Sequence, residues 1–237
     1  MTPDVAFARL VESASVPYRA AGPYAYHFAR GKLRGDPSFQ RVLELGLLQG
    51  RSRILDLGCG QGLLASWLLA AHAQYSAGDW PSAWPAAPRP QALLGIDLLS
   101  RDIQRAQVAL GSAAYFTEGD IRDAAFTASD AIVILDVLHY IDLPAQQRVL
   151  ERVRAALPDD GLLLLRVGDA EAGLRARISV CVDFCLGFLR SGVAQRLHRR
   201  SLRDWQSLLA ATGFHCKPVP MSSAAQFADV LFSCRPA

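Results

Sequence analysis

The segment Arg53-Ile54-Leu55-Asp56-Leu57-Gly58-Cys59-Gly60-Gln61-Gly62 constrains this chain more than any other stretch. A short apolar run over 54–57 reads as a buried strand, and it passes directly into closely spaced glycines that open a helix over about 63–71. Glycine permits tight turning and close approach of a ligand to the main chain, with the helix N–H groups facing it. The spacing is G-x-G-x-G, and Leu63 stands where the dinucleotide fingerprint wants glycine. A nicotinamide-dependent oxidoreductase is disfavoured by that spacing.

Beyond this loop, apolar runs alternate with helical patterns. Strands are expected over 93–96, 114–116, 131–135 and 162–167, with helices over 100–110 and about 144–157. Continuous apolar runs without in/out alternation are what strands covered on both faces look like. Their alternation with helices means βαβ units and a parallel sheet. The C-terminal part differs: a long helical stretch over about 171–197, a shorter one over 202–212 closed by Gly213, then two strand candidates at 214–219 and 228–234. No helix separates that last pair, so it is expected to be antiparallel. The fold class is therefore α/β, with a seven-stranded mixed sheet. Residues 1–50 read as a helical N-terminal cap on a domain over 51–237, and the four prolines and two tryptophans of 73–90 as an inserted loop.

Composition excludes several alternatives. With 51% apolar and 20% charged residues the chain is neither disordered nor collagen-like. Its apolar runs are too short to span a membrane, and a net charge of +3 gives no reason to expect a nucleic-acid partner. The cysteines (Cys59, Cys181, Cys185, Cys216, Cys234) are odd in number and form no C-x-x-C pair. Reduced thiols in a cytoplasmic protein are the expectation, with no secretory signal at the N-terminus. No cluster with metal-ligand spacing is visible, so no metal is expected.

Four acids, Asp56, Asp97, Asp120 and Asp136, fall at the carboxyl ends of predicted parallel strands, where ligands bind in open α/β sheets. Asp97 can accept both hydrogen bonds of a ribose diol. It lies 37 residues after Gly60 rather than the usual about 20, and the inserted loop accounts for the excess. Asp120 could accept from an adenine amino group, with Ile121 over the ring. Helix capping is the competing role for Asp97 and Asp120.

Asp56-x-Gly58-x-Gly60-x-Gly62, Asp97, Glu118-Gly119-Asp120 and Asp136 together resemble the successive motifs of class I S-adenosylmethionine-dependent methyltransferases, over about residues 40–170. The resemblance implies a Rossmann-like sandwich, S-adenosylmethionine as cofactor and S-adenosylhomocysteine as product. It places Gly58, Cys59, Gly60 and Gly62 at the methionine part, with Asp56 orienting its amino group. Asp97 and Leu98 fall at the ribose, Asp120 and Ile121 at the adenine, and Asp136 also in the cofactor site. His27–Leu33 together with Leu135–Tyr140 is similar to small methyltransferases of bacterial aryl-polyene pigment pathways.

The acceptor side is read less directly. His139 follows Asp136 by three residues, and its imidazole could remove a phenol proton or could simply pack. Tyr24, Tyr26, His27 and Tyr140 are candidates to flank an aromatic acceptor, and Lys32 to meet the methionine carboxylate. Trp80 and Trp84 could cover an acceptor or anchor their loop. Arg196, His198, Arg199, Arg200 and Arg203 form a basic cluster that could meet an acidic carrier protein or an anionic substrate, or be a solvated surface. The expected activity is methyl transfer to a small, phenolic or aromatic acceptor. The alternative is a protein that binds the cofactor and transfers nothing.

Overall fold

A computed structural model of the chain describes residues 1–171, 197–219 and 229–237. Its strands are β1 (Arg53–Leu57), β2 (Ala92–Asp97), β3 (Tyr115–Glu118), β4 (Ala131–Leu135), β5 (Leu162–Gly168), β6 (Phe214–Val219) and β7 (Asp229–Pro236). They form one seven-stranded sheet in the order β3-β2-β1-β4-β5-β7-β6. The expected mixed sheet is present, with β7 antiparallel to both β5 and β6. The long helical stretch expected over 171–197 lies almost wholly outside the described residues. The chain divides into two compact units, Met1–Ala124 and Ala125–Ala237.

In the first unit, β1, β2 and β3 pair in parallel, with Asp56 opposite Gly95 and Asp97 opposite Glu118. Helices α1 (Pro3–Ser15), α2 (Pro23–Gly35) and α3 (Pro37–Glu44) precede the sheet, and α4 (Leu63–Ser76) and α5 (Ser100–Leu110) follow β1 and β2. Each of α1–α3 begins on proline, whose missing N–H costs nothing at that position. Helix α4 opens with six consecutive buried residues, Leu63 to Leu68, because the N-terminal helices cover the face it would otherwise expose. Ser66 donates to the Ala14 carbonyl at 2.7 Å, and the fully buried Trp67 donates to the Phe39 carbonyl while Phe7 and Phe39 meet its ring edge-on. Truncating Trp67 to alanine would cost about 3–5 kcal/mol.

The boundary of the inserted loop moves. Helix α4 runs on through residues 72–76, which carry no breaker, and ends before Gly78. Trp80 donates to the Pro85 carbonyl at 2.9 Å and meets Tyr75 and Trp84 edge-on, so the tryptophans fold the segment onto itself.

In the second unit, β4 and β5 are parallel, and α6 (Leu143–Ala156) lies between them in sequence. Asp142 caps α6 by accepting from the Ala145 amide at 2.7 Å. Helix α7 (Leu202–Ala211) is capped by Ser201 and leads into β6. All seven residues of β5 are buried, as a central strand requires.

The antiparallel register sets Cys216 opposite Cys234, and the two form a disulfide with Cα atoms 4.0 Å apart. The expectation of reduced thiols throughout is thereby corrected. Two cysteines 18 residues apart look unrelated until strand pairing brings them face to face. Cys59 is a free, buried thiol, and Cys181 and Cys185 lie outside the described residues.

Candidate functional site

Two clusters of polar residues stand out, one in each unit. The first gathers on the glycine loop after β1. Gly58, Gly60 and Gly62 take φ values of 78°, 55° and 77°, the left-handed region that side chains disfavour. A Cβ on Gly62 would also lie 2.6 Å from the Phe116 ring. The loop is stitched to β2: Gly58 and Cys59 both donate their amides to the Ile96 carbonyl, at 2.7 and 3.1 Å.

Asp97, 7% exposed, closes that stitching. One carboxylate oxygen accepts from the Gly60 amide at 2.8 Å and the other from the Leu99 amide at 2.9 Å. It thus shapes the loop and caps the turn into α5. Leu98 beside it is an exposed apolar side chain at 55%, whereas Ile121 is buried. Asp56 is buried with no hydrogen bond or ion pair among the described residues. Burial, reinforced by the Asp97 charge, pushes its carboxyl up to about 8. Burial also pushes the Cys59 thiol well up, leaving it uncharged.

Asp120 is engaged by its neighbour. Arg122 donates to both of its carboxylate oxygens, at 3.0 and 2.9 Å from Nε, and this pairing holds the carboxyl below its ordinary value.

Of the N-terminal candidates, Tyr26 and His27 meet each other, and Tyr24 and Lys32 engage other neighbours. Tyr24 is half exposed, stacks on Phe28, and lies beneath the Arg105 guanidinium at 4.5 Å. The Tyr26 hydroxyl sits between Arg19 and Glu12, and its ring meets His27 edge-on. Lys32 is ion-paired with Asp36 at 2.8 Å. Gln61, which the motif reading passed over, is buried and donates from Nε2 to the Ala25 carbonyl of α2 at 2.8 Å.

The second cluster follows β4. Asp136 has φ 60°, the one described non-glycine residue in the left-handed region. Its carboxylate pairs with Arg166 at 3.3 Å, and Arg166, buried on β5, also pairs with Asp229 on β7 at 3.0 Å. His139 is 6% exposed, packs against the Tyr140 ring at 4.3 Å, and leaves Nε2 buried without a hydrogen bond. Burial, with smaller contributions from Arg199 and Arg166, pushes its pKa down to about 4 although Asp136 opposes the shift. The imidazole is therefore neutral near pH 7.

The His139 segment is fastened by a fully buried amide. Gln146 Nε2 lies within 3.2 Å of the carbonyls of Leu138, Ile141 and His198, and its Oε1 accepts from Arg200 at 2.7 Å. The His198 amide donates to the His139 carbonyl at 2.8 Å. Of the expected basic cluster, Arg200 is thus spent on structure and Arg196 lies outside the described residues. Sequence reading missed Arg166, Gln146 and Asp229. Only Arg166 carried a signal, a lone charge within an apolar strand.

Residues 27–228 match the family described as "Methyltransferase domain". Among solved structures, the mitomycin 7-O-methyltransferase MmcR is similar at 19% identity and TM-score 0.61, over 98% of this chain and 60% of its own. Human N-acetylserotonin methyltransferase in complex with SAM aligns at 16% and 0.59, over 93% and 57%. Magnesium protoporphyrin IX methyltransferase from Synechocystis PCC 6803 with bound SAH aligns at 18% and 0.58, over 91% and 88%. At these identities the likeness shows the fold. The chain spans about 60% of the length of the first two. No curated protein sequence matches it significantly. Among the described residues, no helix is long and apolar enough to cross a membrane.

Proposed function

The chain belongs to the methyltransferase family whose domain matches residues 27–228, and on that premise we propose that it moves the methyl group of S-adenosylmethionine onto a small phenolic or other aromatic acceptor. The observation that carries this reading is the left-handed triplet Gly58, Gly60 and Gly62, clamped by Asp97 through the Gly60 amide. Such a loop offers bare backbone where a ligand must come close, with a buried carboxylate beside it for a diol. Leu98 is an exposed apolar side chain next to that carboxylate, suited to cover a ring. The unpartnered Asp56 carboxyl suits a positively charged amine.

S-adenosylmethionine, when bound, supplies an electrophilic methyl group on a sulfonium. The protein's part is to align the acceptor for in-line attack and, where needed, to accept its proton. His139 is our candidate for the second task, because its Nε2 is neutral and lacks a partner. With a pKa of about 4, taking a proton outright from a phenol near 10 would cost about 8 kcal/mol. The proton must then move as the new bond forms, or the acceptor must itself be acidic. Both routes favour an electron-poor phenol or enol over an alcohol. The similarity to aryl-polyene methyltransferases is compatible with such acceptors.

Incubation with S-adenosylmethionine and a panel of phenols of graded acidity tests this. Release of S-adenosylhomocysteine above the acceptor-free background is expected, rising with phenol acidity. Tight cofactor binding with no acceptor-dependent product across the panel would favour the binding-protein alternative.

A further inference from the structure

His139 sits in the middle of one short 3₁₀ turn, Leu138–Tyr140. Two backbone hydrogen bonds close it, from Tyr140 to Val137 and from Ile141 to Leu138. That is too few to make an isolated turn stable. Gln146, on the first turn of α6 and fully buried, supplies the missing support. Its Nε2 donates to the carbonyls of Leu138, Ile141 and His198 at 3.0, 3.2 and 2.8 Å, and its Oε1 accepts from Arg200 at 2.7 Å. Carbonyls only accept and a guanidinium only donates, so all four contacts agree on the orientation of the amide. The His198 amide closes the ring by donating to the His139 carbonyl at 2.8 Å.

One amide therefore joins the main chain on both sides of His139 to the distant segment 198–200. Being fully buried, it does not meet a ligand itself. We propose that Gln146 is the positioning residue for His139: it holds the turn so that the imidazole stays packed and dry, placed to take the acceptor's hydroxyl proton on Nε2. Only that last step rests on the methyl-transfer reading above. Placement matters at this scale, because a shift of about 1 Å can cost about a hundredfold in rate. The charges acting on the imidazole are Asp136 after β4, Arg166 on β5 and Arg199, with the Tyr140 ring packed against it. Burial outweighs the Asp136 charge and pushes the His139 pKa down to about 4. A loosened turn would admit water, and the pKa should then return toward about 6.5.

NMR titration of histidine-labelled protein reads this directly, with His139→Gln assigning the resonance. Wild-type His139 should stay neutral down to about pH 4. Gln146→Met, similar in size but without donors, should raise that midpoint by about one pH unit or more. Its turnover on the best phenol of the graded panel should fall about 10- to 100-fold, with the phenol's KM within about twofold. Gln146→Asn keeps an amide on a shorter arm and should show the same changes in smaller measure. It carries the test if the methionine variant does not fold. Thr212→Val is the control for stability alone: it removes a buried hydroxyl that donates to the Leu208 carbonyl. It should lower the melting temperature and leave the His139 midpoint where it was. A wild-type midpoint near about 6.5, an unchanged midpoint or turnover in the folded Gln146 variant, or an equal shift in Thr212→Val overturns the proposal. Wild-type protein that fails to bind S-adenosylhomocysteine would instead overturn the methyl-transfer reading, and the hold of Gln146 on His139 would still be read by NMR.

Discussion

The chain leaves β1 and β4 by different means. After β1, glycines take the left-handed turns, and the loop's own amides are held by the Ile96 carbonyl and the Asp97 carboxylate of the neighbouring β2. After β4, Asp136 takes the left-handed conformation itself, at a cost of about 1–2 kcal/mol. It is paired with Arg166 on β5, which reaches on to Asp229 on β7. The first region is chiefly a backbone surface, with one carboxylate holding it in shape. The second is a side-chain surface assembled from distant parts of the sequence. A ligand common to a whole family is suited to the first kind of construction, and an acceptor particular to one member to the second.

The comparison breaks most easily at Gly60. Valine there must adopt φ near 55°, which a β-branched residue tolerates poorly, and would put two methyl groups where a ligand should meet bare backbone. Gly60→Val should abolish S-adenosylhomocysteine binding while far-UV circular dichroism stays close to wild type. Binding that survives in the folded variant would mean the ligand does not touch this loop.

His139→Gln probes the other region and should leave cofactor affinity intact. If the imidazole accepts the acceptor's proton, turnover should drop about 10²–10⁴-fold. The deficit should shrink as the pH approaches the phenol pKa of about 10, where the acceptor ionises unaided. Because the wild-type pKa is pushed to about 4, acidification should not protonate His139 until well below neutrality. A lowered melting temperature with unchanged turnover per folded molecule would make His139 a packing residue.

The two regions also differ in how much of them the sequence reveals. Helix α5 and strand β4 begin and end where the apolar patterns predict. The glycines follow β1 and Asp97 ends β2 as the pattern predicts, because local spacing along parallel strands carries that information. Helix α4 overran its expected end because its last turn contains nothing that stops a helix. Gln146 is opaque for another reason: a glutamine at a helix's exposed-looking positions gives no hint that its amide will knot together three carbonyls and an arginine. The Cys216–Cys234 bond was hidden likewise, since it depends on antiparallel register rather than on spacing.

Asp97→Ala should have a smaller effect than Gly60→Val. It removes the acceptor of the Gly60 amide together with the proposed diol contact, and hydrogen bonds to charged groups are worth about 1.5–3 kcal/mol. A tenfold to hundredfold rise in the S-adenosylhomocysteine dissociation constant is expected. An unchanged constant by calorimetry would confine Asp97 to its role as a loop clamp.

The smallest effect, and the sharpest test of the first region's electrostatics, is the pH response of Asp56. Its carboxyl is pushed up to about 8 by burial and by Asp97, so near neutrality it is mostly protonated before ligand arrives. A cationic ligand stabilises the ionised form, so binding should release a proton. Apparent affinity should rise about tenfold per pH unit below the raised pKa and level off above it. Stability runs the opposite way. A raised carboxyl pKa stabilises the fold fully below about pH 4, and that contribution is lost as the pH climbs through about 8. Titrating S-adenosylhomocysteine at about pH 7, in buffers of different ionisation enthalpy, counts the released protons. A value near one, falling to zero in Asp56→Asn, is the expected result. Zero in the wild type, with affinity flat in pH, would mean that Asp56 does not ionise on binding and would overturn the raised carboxyl as the source of the pH response.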